Sequence, residues 1–296
     1  MNGLFDAKLK ADCTLIEEYL ENLSRTAKAA PLAKTVSDAM DYSLLGGGKR
    51  IRAVLVLEFC RLCGGEDAQA LPFCAAIEMI HAYSLIHDDL PCMDDDDMRR
   101  GKPSCHKQFG EWQALLAGDA LLNRAFETVL QQDIPTERAV RALRCLSDAS
   151  GMNGMIGGQV IDLESEGQSI EYDRLRTLHR LKTGALIRAA ALMGVIAADG
   201  REEDIAAATE YSENLGLAFQ IVDDILDVTA TEEELGKPIG SDEKSGKTTY
   251  ITLFGIEKAK ELAQESTETA MNALKQYGSK AEFLVSLAQV LSQRRK

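Results

Sequence analysis

The sequence predicts an all-α protein built as one domain of roughly ten or more helices. Three observations support this fold class. Apolar residues recur at helical spacing along nearly the whole chain, no segment alternates apolar and polar residues, and only six prolines occur in 296 residues. No linker-like stretch interrupts the chain, so we expect a single domain over residues 1–296.

The helices of the first half are marked by apolar faces and clear ends. "LKADCTLIEEYLENL" places Leu9, Ile16, Leu20 and Leu23 on one stripe. "IRAVLVLEFCRLC" is followed by Gly64 and Gly65, which typically end a helix. Residues 70–90 predict a strongly apolar helix that leads into a run of aspartates.

The second half continues in the same way. "EWQALLAGDALLNRAFETVLQ" predicts one helix, and Pro135 and Thr136 start the next. Residues 172–198 predict a long helix with a break at Gly184, and residues 203–228 a longer one whose middle is apolar enough for burial. Two more helices close the chain after the polar stretch 229–248, which is either a lid or a mobile surface loop.

Composition limits the partners and the compartment. The formal net charge is −14, which disfavours nucleic acid and anionic lipid as partners. The longest nearly apolar run, residues 189–198, is too short to span a bilayer, and the N-terminus lacks the apolar region of a signal peptide. Seven cysteines, an odd number among mostly apolar neighbours, indicate reduced thiols. We therefore expect a cytoplasmic protein without a membrane span.

The first acidic cluster lies in "HDDLPCMDDDDMRRGKP", which runs from His87 to Pro103. Asp88 and Asp89 end the apolar helix, and Pro91 then disturbs it. Asp94 can approach Asp88 from the distorted turn. For the next three aspartates, a solvated acidic surface is an equally good interpretation.

The second cluster lies inside an apolar helix, in "FQIVDDILDV". Asp223 and Asp227 are four residues apart and share a face, with Asp224 beside them. Carboxylates in such surroundings repel one another and are costly to desolvate, so a hard divalent cation with oxygen ligands is expected. No His or Cys lies near this second cluster to suggest zinc, and the loop pattern of an EF-hand is absent from the sequence. Two clusters of carboxylates on apolar helices suggest two walls of one cavity with metal between them.

Bases at the edges of these motifs indicate an anionic ligand, and a diphosphate bridged to metal is the natural candidate. In "LLGGGKRIR", Lys49, Arg50 and Arg52 follow three glycines, where backbone amides can approach phosphate. The bases are Lys49, Arg50, Arg52, Arg99, Arg100, Lys182, Lys237, Lys244 and Lys247.

These residues resemble the trans-isoprenyl diphosphate synthases, and most closely the bacterial farnesyl diphosphate synthases. "DDLPCMD" followed by "RRGKP" is similar to the family's first aspartate-rich motif, and "DDILD" to the second. "GGGKRIR", "EMIHAYSLIHDDLP", "GMIGGQVIDLESEG", "LHRLKTGALI" and "GKTTY" match in the same order, over roughly residues 40–255. Ala53 departs from the proline that the family usually has at that position.

The resemblance implies an isoprenoid synthase helical bundle around a central cavity, a homodimer, and a role for each matching residue. The implied catalytic residues are Asp88, Asp89, Asp94, Asp223, Asp224, Asp227 and Lys182, of which Asp88, Asp94 and Asp223 bind Mg²⁺, with three ions per site when diphosphate is bound. The implied allylic diphosphate site is Arg99, Lys182, Thr183, Gln220, Lys237 and Lys247. The implied isopentenyl diphosphate site is Lys49, Arg52, His81 and Arg100.

The resemblance implies condensation of isopentenyl diphosphate with dimethylallyl or geranyl diphosphate. The length of the prenyl product is a finer prediction. Tyr83 lies five residues before Asp88, where its ring can form the floor of the prenyl cavity, with Ser84 beside it. Family members that make C20 tend to have a small residue or Met there, so we expect farnesyl diphosphate, C15. The alternatives are a geranylgeranyl diphosphate synthase, a class I terpene cyclase and a non-catalytic synthase subunit. The cyclase conflicts with the form of the second motif, "DDILD", and the non-catalytic subunit conflicts with the presence of both motifs.

Overall fold

The computed structural model describes residues 2–27, 33–229 and 247–294, and within these ranges the chain is almost entirely helical. The predicted all-α fold is confirmed. Contacts within the chain divide it into two compact units, Met1–Leu143 with Ile196–Asp199, and Arg144–Val195 with Gly200–Lys296. Each unit is described by itself below, and the single domain expected from the sequence stays a prediction.

The first unit is built from the N-terminal helices and one short hairpin. Its elements are α1 Asn2–Ala27, α2 Lys34–Leu44, α3 Ile51–Leu62, α4 Asp67–Asp88, β1 Met98–Arg99, β2 Lys102–Pro103, α5 Cys105–Phe109, α6 Glu111–Leu130 and the start of α7 Thr136–Ser150. Helix α3 begins after Arg50, whose guanidinium forms a buried ion pair with Glu78 at 3.1 Å. This pair ties α3 to α4 and leaves Arg50 with a structural role.

Helix α4 is the core of this unit because it packs against both α3 and α6. It is long and apolar enough to cross a membrane by length and composition, but 72% of its most apolar window is buried inside the protein. Burial of this kind is typical of a core helix. Asp88, the last residue of α4, is therefore held at the end of a well-packed helix.

A two-residue hairpin is the first departure from the sequence-based prediction, which contained no strand. Met98 pairs with Pro103 and Arg99 with Lys102. The turn residues Arg100 and Gly101 have φ values of 53° and 75°, as a type I′ turn requires. Strands of two residues are too short to show alternation, so the pattern gave no signal.

The second unit contains α8 Met155–Glu164, α9 Tyr172–His179, a π-helical turn Arg180–Gly184, α10 Ala185–Ala197, α11 Glu202–Thr229, α12 Tyr250–Phe254, α13 Ile256–Ala273, a 3₁₀ segment Lys275–Ala281 and α14 Glu282–Ser292, together with the end of α7. Helix α11 packs along α13 and against the π turn. Tyr211, fully buried on α11, donates its hydroxyl to the Leu284 carbonyl at 2.7 Å. This bond fixes α14 to α11.

The π turn is the second departure, because the sequence predicted a break at Gly184. The chain continues instead from α9 through residues 180–184 into α10. One extra residue in a turn changes the direction of the side chains that follow, and such turns are common at functional sites. Helix α8 can lie against this turn only because residue 158 is glycine: a Cβ there would lie 2.2 Å from the Lys182 nitrogen.

Candidate active site

The first aspartate motif leaves α4 through a hydrogen-bonded loop. The backbone N–H of Asp94 donates to the Asp88 carbonyl at 2.8 Å. The loop therefore returns Asp94 to the end of the helix, as the sequence suggested. The side-chain roles of Asp88 and Asp94 as metal ligands stay predictions.

Asp89 and Arg99 form an ion pair at the base of this loop. The Arg99 Nε donates to Asp89 Oδ1 at 3.0 Å, and Arg99 also reaches Asp96 at 3.3 Å. Asp89 is 2% exposed, and burial raises its pKa although Arg99 opposes that rise. Arg99 was expected to hold a diphosphate, and here it first neutralises a buried carboxylate.

Arg100 joins the hairpin to the glycine loop before α3. Its guanidinium donates to the Gly47 carbonyl, and a Cβ at Gly48 would lie 2.9 Å from the guanidinium carbon. Gly47 and Gly48 both have positive φ, a conformation that favours glycine. The glycines of "GGGKR" thus give Arg100 its place near the predicted isopentenyl diphosphate bases.

Arg52 and His81 share this positively charged region. Burial, followed by the charges of Arg52 and Arg100, lowers the pKa of His81 well below its ordinary range. Burial also lowers the pKa of Arg52, with Arg100 adding to the effect. The buried acid of this region, Glu78, is held by Arg50. Concentrated positive charge of this kind favours an anionic ligand. Lys49, the fourth predicted base of this site, is exposed.

Six of the predicted site residues of the second unit line one cavity of about 330 Å³, and Lys247 is one of them. The other five are Asp223, Asp224, Asp227, Lys182 and Gln220. Asp224 and Asp227 are buried, and Asp223 has about half of its side chain exposed. The predicted Lys237 and Lys244, and with them most of the polar stretch 229–248, lie outside the described residues.

Asp162 lies in the same cavity, and the sequence alone did not indicate it. Its carboxylate accepts hydrogen bonds from Lys182 at 2.5 Å and from Lys247 at 3.3 Å. Burial opposes its ionisation, but the two ammonium groups hold its pKa below the ordinary value. Asp162 therefore fixes both lysines at one wall of the cavity. It lies in "GMIGGQVIDLESEG", a segment that resembles the family but in which no residue had a predicted role.

Thr183 and Gln220 form a short polar chain toward Asp223. The Thr183 hydroxyl donates to Gln220 Oε1 at 2.6 Å, and Gln220 Nε2 lies 3.5 Å from Asp223 Oδ2. The π turn carries Thr183, whereas α11 carries the other two residues. The predicted Thr183 and Gln220 are thus in contact with each other and with the second motif.

Two further contacts fix the second motif. Asp224 accepts the backbone N–H of Tyr250 at 2.7 Å, at the start of α12. Asp223 accepts from Arg294, which also donates to the Phe219 carbonyl at 3.0 Å and lies 3.6 Å from the centroid of the Phe219 ring. The sequence gave no indication that Arg294 would meet this motif.

The donor set of the second unit fits Mg²⁺. The carboxylates of Asp223, Asp224 and Asp227 offer only oxygen, which is the ligand type that this cation prefers. Two of the three carboxylates, Asp224 and Asp227, are buried, and buried carboxylates need compensating positive charge. The predicted arrangement in which both motifs form walls of one cavity stays a prediction.

Tyr83, the predicted floor residue, is 5% exposed on α4. Its ring meets the His87 ring edge to face, with centroids 5.7 Å apart. Burial, with a contribution from Asp88, raises its pKa to about 12, so the phenol stays neutral. Ser84 turns its hydroxyl back to the His81 carbonyl at 3.0 Å. The ring contact of Tyr83 and the hydrogen bond of Ser84 are thus both made to residues of α4.

Beyond the predicted ligands, the structure brings together Asp95, Asp97 and His106. One ligand atom of each lies within 4.8 Å of the others. His106 is buried, whereas both aspartates are exposed. From the sequence, Asp95 to Asp97 fit a functional site and a solvated surface equally well, and no pattern indicated a role for His106.

Known proteins resemble this chain over nearly its whole length. A geranylgeranyl pyrophosphate synthase of Arabidopsis thaliana, named as chloroplastic, is 48% identical over 98% of this chain and 82% of its own. A geranylgeranyl diphosphate synthase of Cyanophora paradoxa is 45% identical over 88% and 87%.

Among solved structures, the apo FPP/GFPP synthase of Zymomonas mobilis superimposes with a TM-score of 0.86 at 37% identity, over 97% of this chain and 99% of its own. Residues 33–287 match the polyprenyl synthetase family. That range includes both aspartate motifs, the glycine loop and the lysines on Asp162. The chain belongs to the polyprenyl synthetase family and is a short-chain trans-prenyltransferase.

Proposed function

We propose that the protein elongates an allylic diphosphate by condensing it with isopentenyl diphosphate. The observation that carries this proposal is the cavity of the second unit. It combines three carboxylates with two lysines that Asp162 holds in place. An arrangement of acids that bind metal and bases that bind phosphate suits a diphosphate leaving group.

Mg²⁺ held by Asp88, Asp94 and Asp223 supplies, when bound, positive charge that stabilises the departing diphosphate. We propose three ions per site with diphosphate bound. Lys182 and Lys247 bind diphosphate oxygens in the second unit, together with Arg99 and Lys237. Thr183 and Gln220 orient Asp223 and the adjacent phosphate. Arg52, Arg100, His81 and Lys49 bind the diphosphate of isopentenyl diphosphate, and His81 does so as a neutral donor because its pKa is low.

The reaction needs no acid or base from the protein. The allylic C–O bond breaks, and its electron pair leaves with pyrophosphate. The double bond of isopentenyl diphosphate attacks the allylic cation and forms a new C–C bond, and a proton then passes to pyrophosphate. The apolar residues around the prenyl chain exclude water, which would otherwise trap the cation.

For the final product we propose geranylgeranyl diphosphate, C20, which the names of the curated relatives support. Farnesyl diphosphate, C15, is the second candidate, and Tyr83 is the observation that favours it, because a buried aromatic ring five residues before Asp88 can limit the prenyl chain. A terpene cyclase or a non-catalytic subunit has less support, since both aspartate motifs are present.

Incubation with Mg²⁺, isopentenyl diphosphate and either dimethylallyl or geranyl diphosphate tests the proposal, with products separated by chromatography. C20 from both primers supports the first candidate, and accumulation of C15 supports the second. Release of no elongated product by the wild-type protein, with pyrophosphate absent, would reject prenyl elongation itself. Asp162→Asn serves as the matched variant with the same fold and a weakened lysine pair.

A homodimer in a reducing, cytoplasmic compartment completes the proposal. Helix α6 exposes Trp112, Leu115 and Leu116, with 59% of Trp112 accessible. All seven cysteines carry free thiols. Light scattering of the purified protein tests the dimer, and Leu116→Lys is expected to yield monomers.

A further inference from the structure

We propose that Asp95, Asp97 and His106 bind a divalent cation of the class that accepts imidazole as a ligand, of which Zn²⁺ is the commonest. This site uses none of the residues assigned to Mg²⁺. One ligand atom from each of the three side chains lies within 4.8 Å of the other two. The proposal is independent of the product that the enzyme makes.

The observation that points to a ligand is the state of His106. Its side chain is only 2% exposed. Among the residues that the structure describes, its Nε2 has no hydrogen-bond partner. The nearest acid, Asp95 Oδ1, lies 3.9 Å away, which is beyond hydrogen-bond reach. A buried nitrogen without a partner is costly, and a cation between the two groups would satisfy it.

The distance suits an ion better than a direct bond. Zinc bonds to imidazole nitrogen and carboxylate oxygen are each about 2.0–2.2 Å long. One ion can therefore contact both Nε2 and Oδ1 with little movement. Asp95 and Asp97 are 60% and 73% exposed, so their side chains can rotate toward the ion. The rigid ligand is the buried imidazole.

Ser104 provides the outer contact that a metal-binding histidine usually has. Its hydroxyl, in a residue that is 1% exposed, lies 3.1 Å from His106 Nδ1. With the proton on Nδ1 donated to Ser104, Nε2 keeps its lone pair for a metal. The backbone N–H of Ser104 also donates to the Asp97 carbonyl at 2.9 Å. One residue thus positions two of the three ligands.

Lys107 is a built-in competitor for this site. Its ammonium group lies 2.8 Å from Asp97 Oδ1. A cation that binds Asp97 must displace or share this contact. The proposal therefore predicts that removal of the lysine charge strengthens cation binding, which a purely structural role for His106 does not predict.

The ligand set also indicates which cations bind. Mg²⁺ prefers oxygen ligands throughout, whereas imidazole combined with carboxylates suits Zn²⁺ and Co²⁺. An ion here would fix the loop between Pro91 and Ser104, which carries Asp94 and the hairpin arginines. The expected result of binding is a more rigid loop, not a new reaction.

The test is titration of the intact protein with Zn²⁺ in excess Mg²⁺, which fills the oxygen-only sites. The chain has four histidines, so ¹⁵N labelling of histidine gives a spectrum in which the ring nitrogens of His106 can be followed. We expect the His106 Nε2 resonance to shift on addition of Zn²⁺. Calorimetry on the same samples is expected to show one Zn²⁺ site per chain.

Variants separate a metal site from other causes. We expect His106→Gln to abolish the site, and Asp97→Asn and Ser104→Ala each to weaken it at least about tenfold. Lys107→Met is expected to tighten Zn²⁺ binding several-fold. Asp96→Asn is the matched control, because it removes a neighbouring carboxylate outside the ligand set and is expected to leave the affinity within about twofold.

Two results would overturn the proposal. One is a His106 Nε2 resonance that does not respond to millimolar Zn²⁺. The other is an equal loss of affinity in Asp97→Asn and Asp96→Asn, which would indicate a diffuse acidic surface. Because Asp97 is exposed, its variant is informative even where His106→Gln does not fold.

Discussion

The guanidinium of Arg294 lies 2.5 Å from the carboxylate of Asp223, the residue that opens the second aspartate motif. Only 9% of the Arg294 side chain is exposed, and its contact with the Phe219 ring holds it in place. Asp223 is also a predicted Mg²⁺ ligand. If Asp223 binds Mg²⁺ as proposed, the arginine and the metal compete for one carboxylate.

The substitution Arg294→Met is expected to lower the Mg²⁺ concentration that gives half-maximal activity by several-fold. The ion pair is worth on the order of 1 kcal/mol because Asp223 is partly exposed and solvent screens the contact. Methionine keeps much of the apolar packing on Phe219. Activity measured across a Mg²⁺ titration gives the shift.

Gln293→Met is the control, since Gln293 is exposed on the adjacent position and is expected to leave the Mg²⁺ requirement unchanged. A higher Mg²⁺ requirement in Arg294→Met would show that the arginine supports the metal site and does not compete with it.

Asp162→Asn is expected to lower kcat/KM for the allylic diphosphate about ten- to a hundredfold. Lys182 and Lys247 lose their shared anchor, and misplaced charge at a reacting group is costly. The KM for isopentenyl diphosphate is expected to stay within about twofold, which separates a positioning role from general destabilisation. Steady-state kinetics with each substrate varied in turn provides both numbers.

Glu166→Gln is the comparison for that experiment. Glu166 lies 4.0 Å from Lys247 and is half exposed, so its removal is expected to change the kinetics little. Equal defects in the two variants would mean that net charge, rather than the position of the lysines, controls the step.

These residues show what the sequence could predict. Asp223, Asp224 and Asp227 could be chosen because carboxylates inside an apolar helix need compensation, and their spacing fixes their face. The fold class followed from the same periodicity. Tyr83 could be located because residues of one helix have a known rise, about 1.5 Å each.

Other features depended on distant contacts and left no local signal. Asp162 meets Lys182 across 20 residues and Lys247 across 85. Arg294 meets Asp223 across 71 residues. The π turn has the apolar pattern of an α-helix, so the pattern could not reveal it. Only Gly184 marked the position, and a glycine there predicts a break. His106 joins Asp95 and Asp97 only through a hairpin too short to be recognised.

His179 predicts how stability depends on pH. Burial lowers its pKa from 6.5 to about 4. Below pH 6.5 the unfolded chain takes up a proton that the folded protein does not, so the contribution of His179 to stability is complete above pH 6.5 and is lost as the pH falls toward 4. The loss is on the order of 3 kcal/mol.

Urea unfolding of the wild-type protein and of His179→Gln at pH 7.5, 6 and 4.5 measures this contribution. The two free energies of unfolding are expected to converge, or to cross, as the pH falls, because glutamine does not titrate. All other groups titrate in both proteins and cancel in the difference. Parallel curves over this range would show that His179 has the same pKa in the folded and the unfolded protein, which contradicts the lowered pKa.

Tyr83→Ala is expected to lengthen the longest product by at least one C5 unit. The ring lies about 7.5 Å along α4 from Asp88 and is buried, so its removal opens space in the direction of the prenyl chain. Chromatography of the products measures the change. Tyr83→Phe keeps the ring and is expected to give the wild-type product; an unchanged product in Tyr83→Ala would remove Tyr83 from the control of chain length.

Gly158→Ala tests the contact that places Lys182. A Cβ at residue 158 would lie 2.2 Å from the Lys182 backbone nitrogen and 2.6 Å from its Cα, and backbone atoms cannot turn aside as a flexible side chain can. Helix α8 and the π turn must then separate, at a cost of about 1–3 kcal/mol, and Asp162 on α8 moves away from Lys182. Reduced unfolding free energy together with reduced activity on the allylic substrate is expected.

Gly184→Ala is the matched control in the π turn itself, because its Cβ would meet only the His179 carbonyl oxygen, at 3.4 Å. Full activity in Gly158→Ala would show that Lys182 does not depend on the close approach of these two segments.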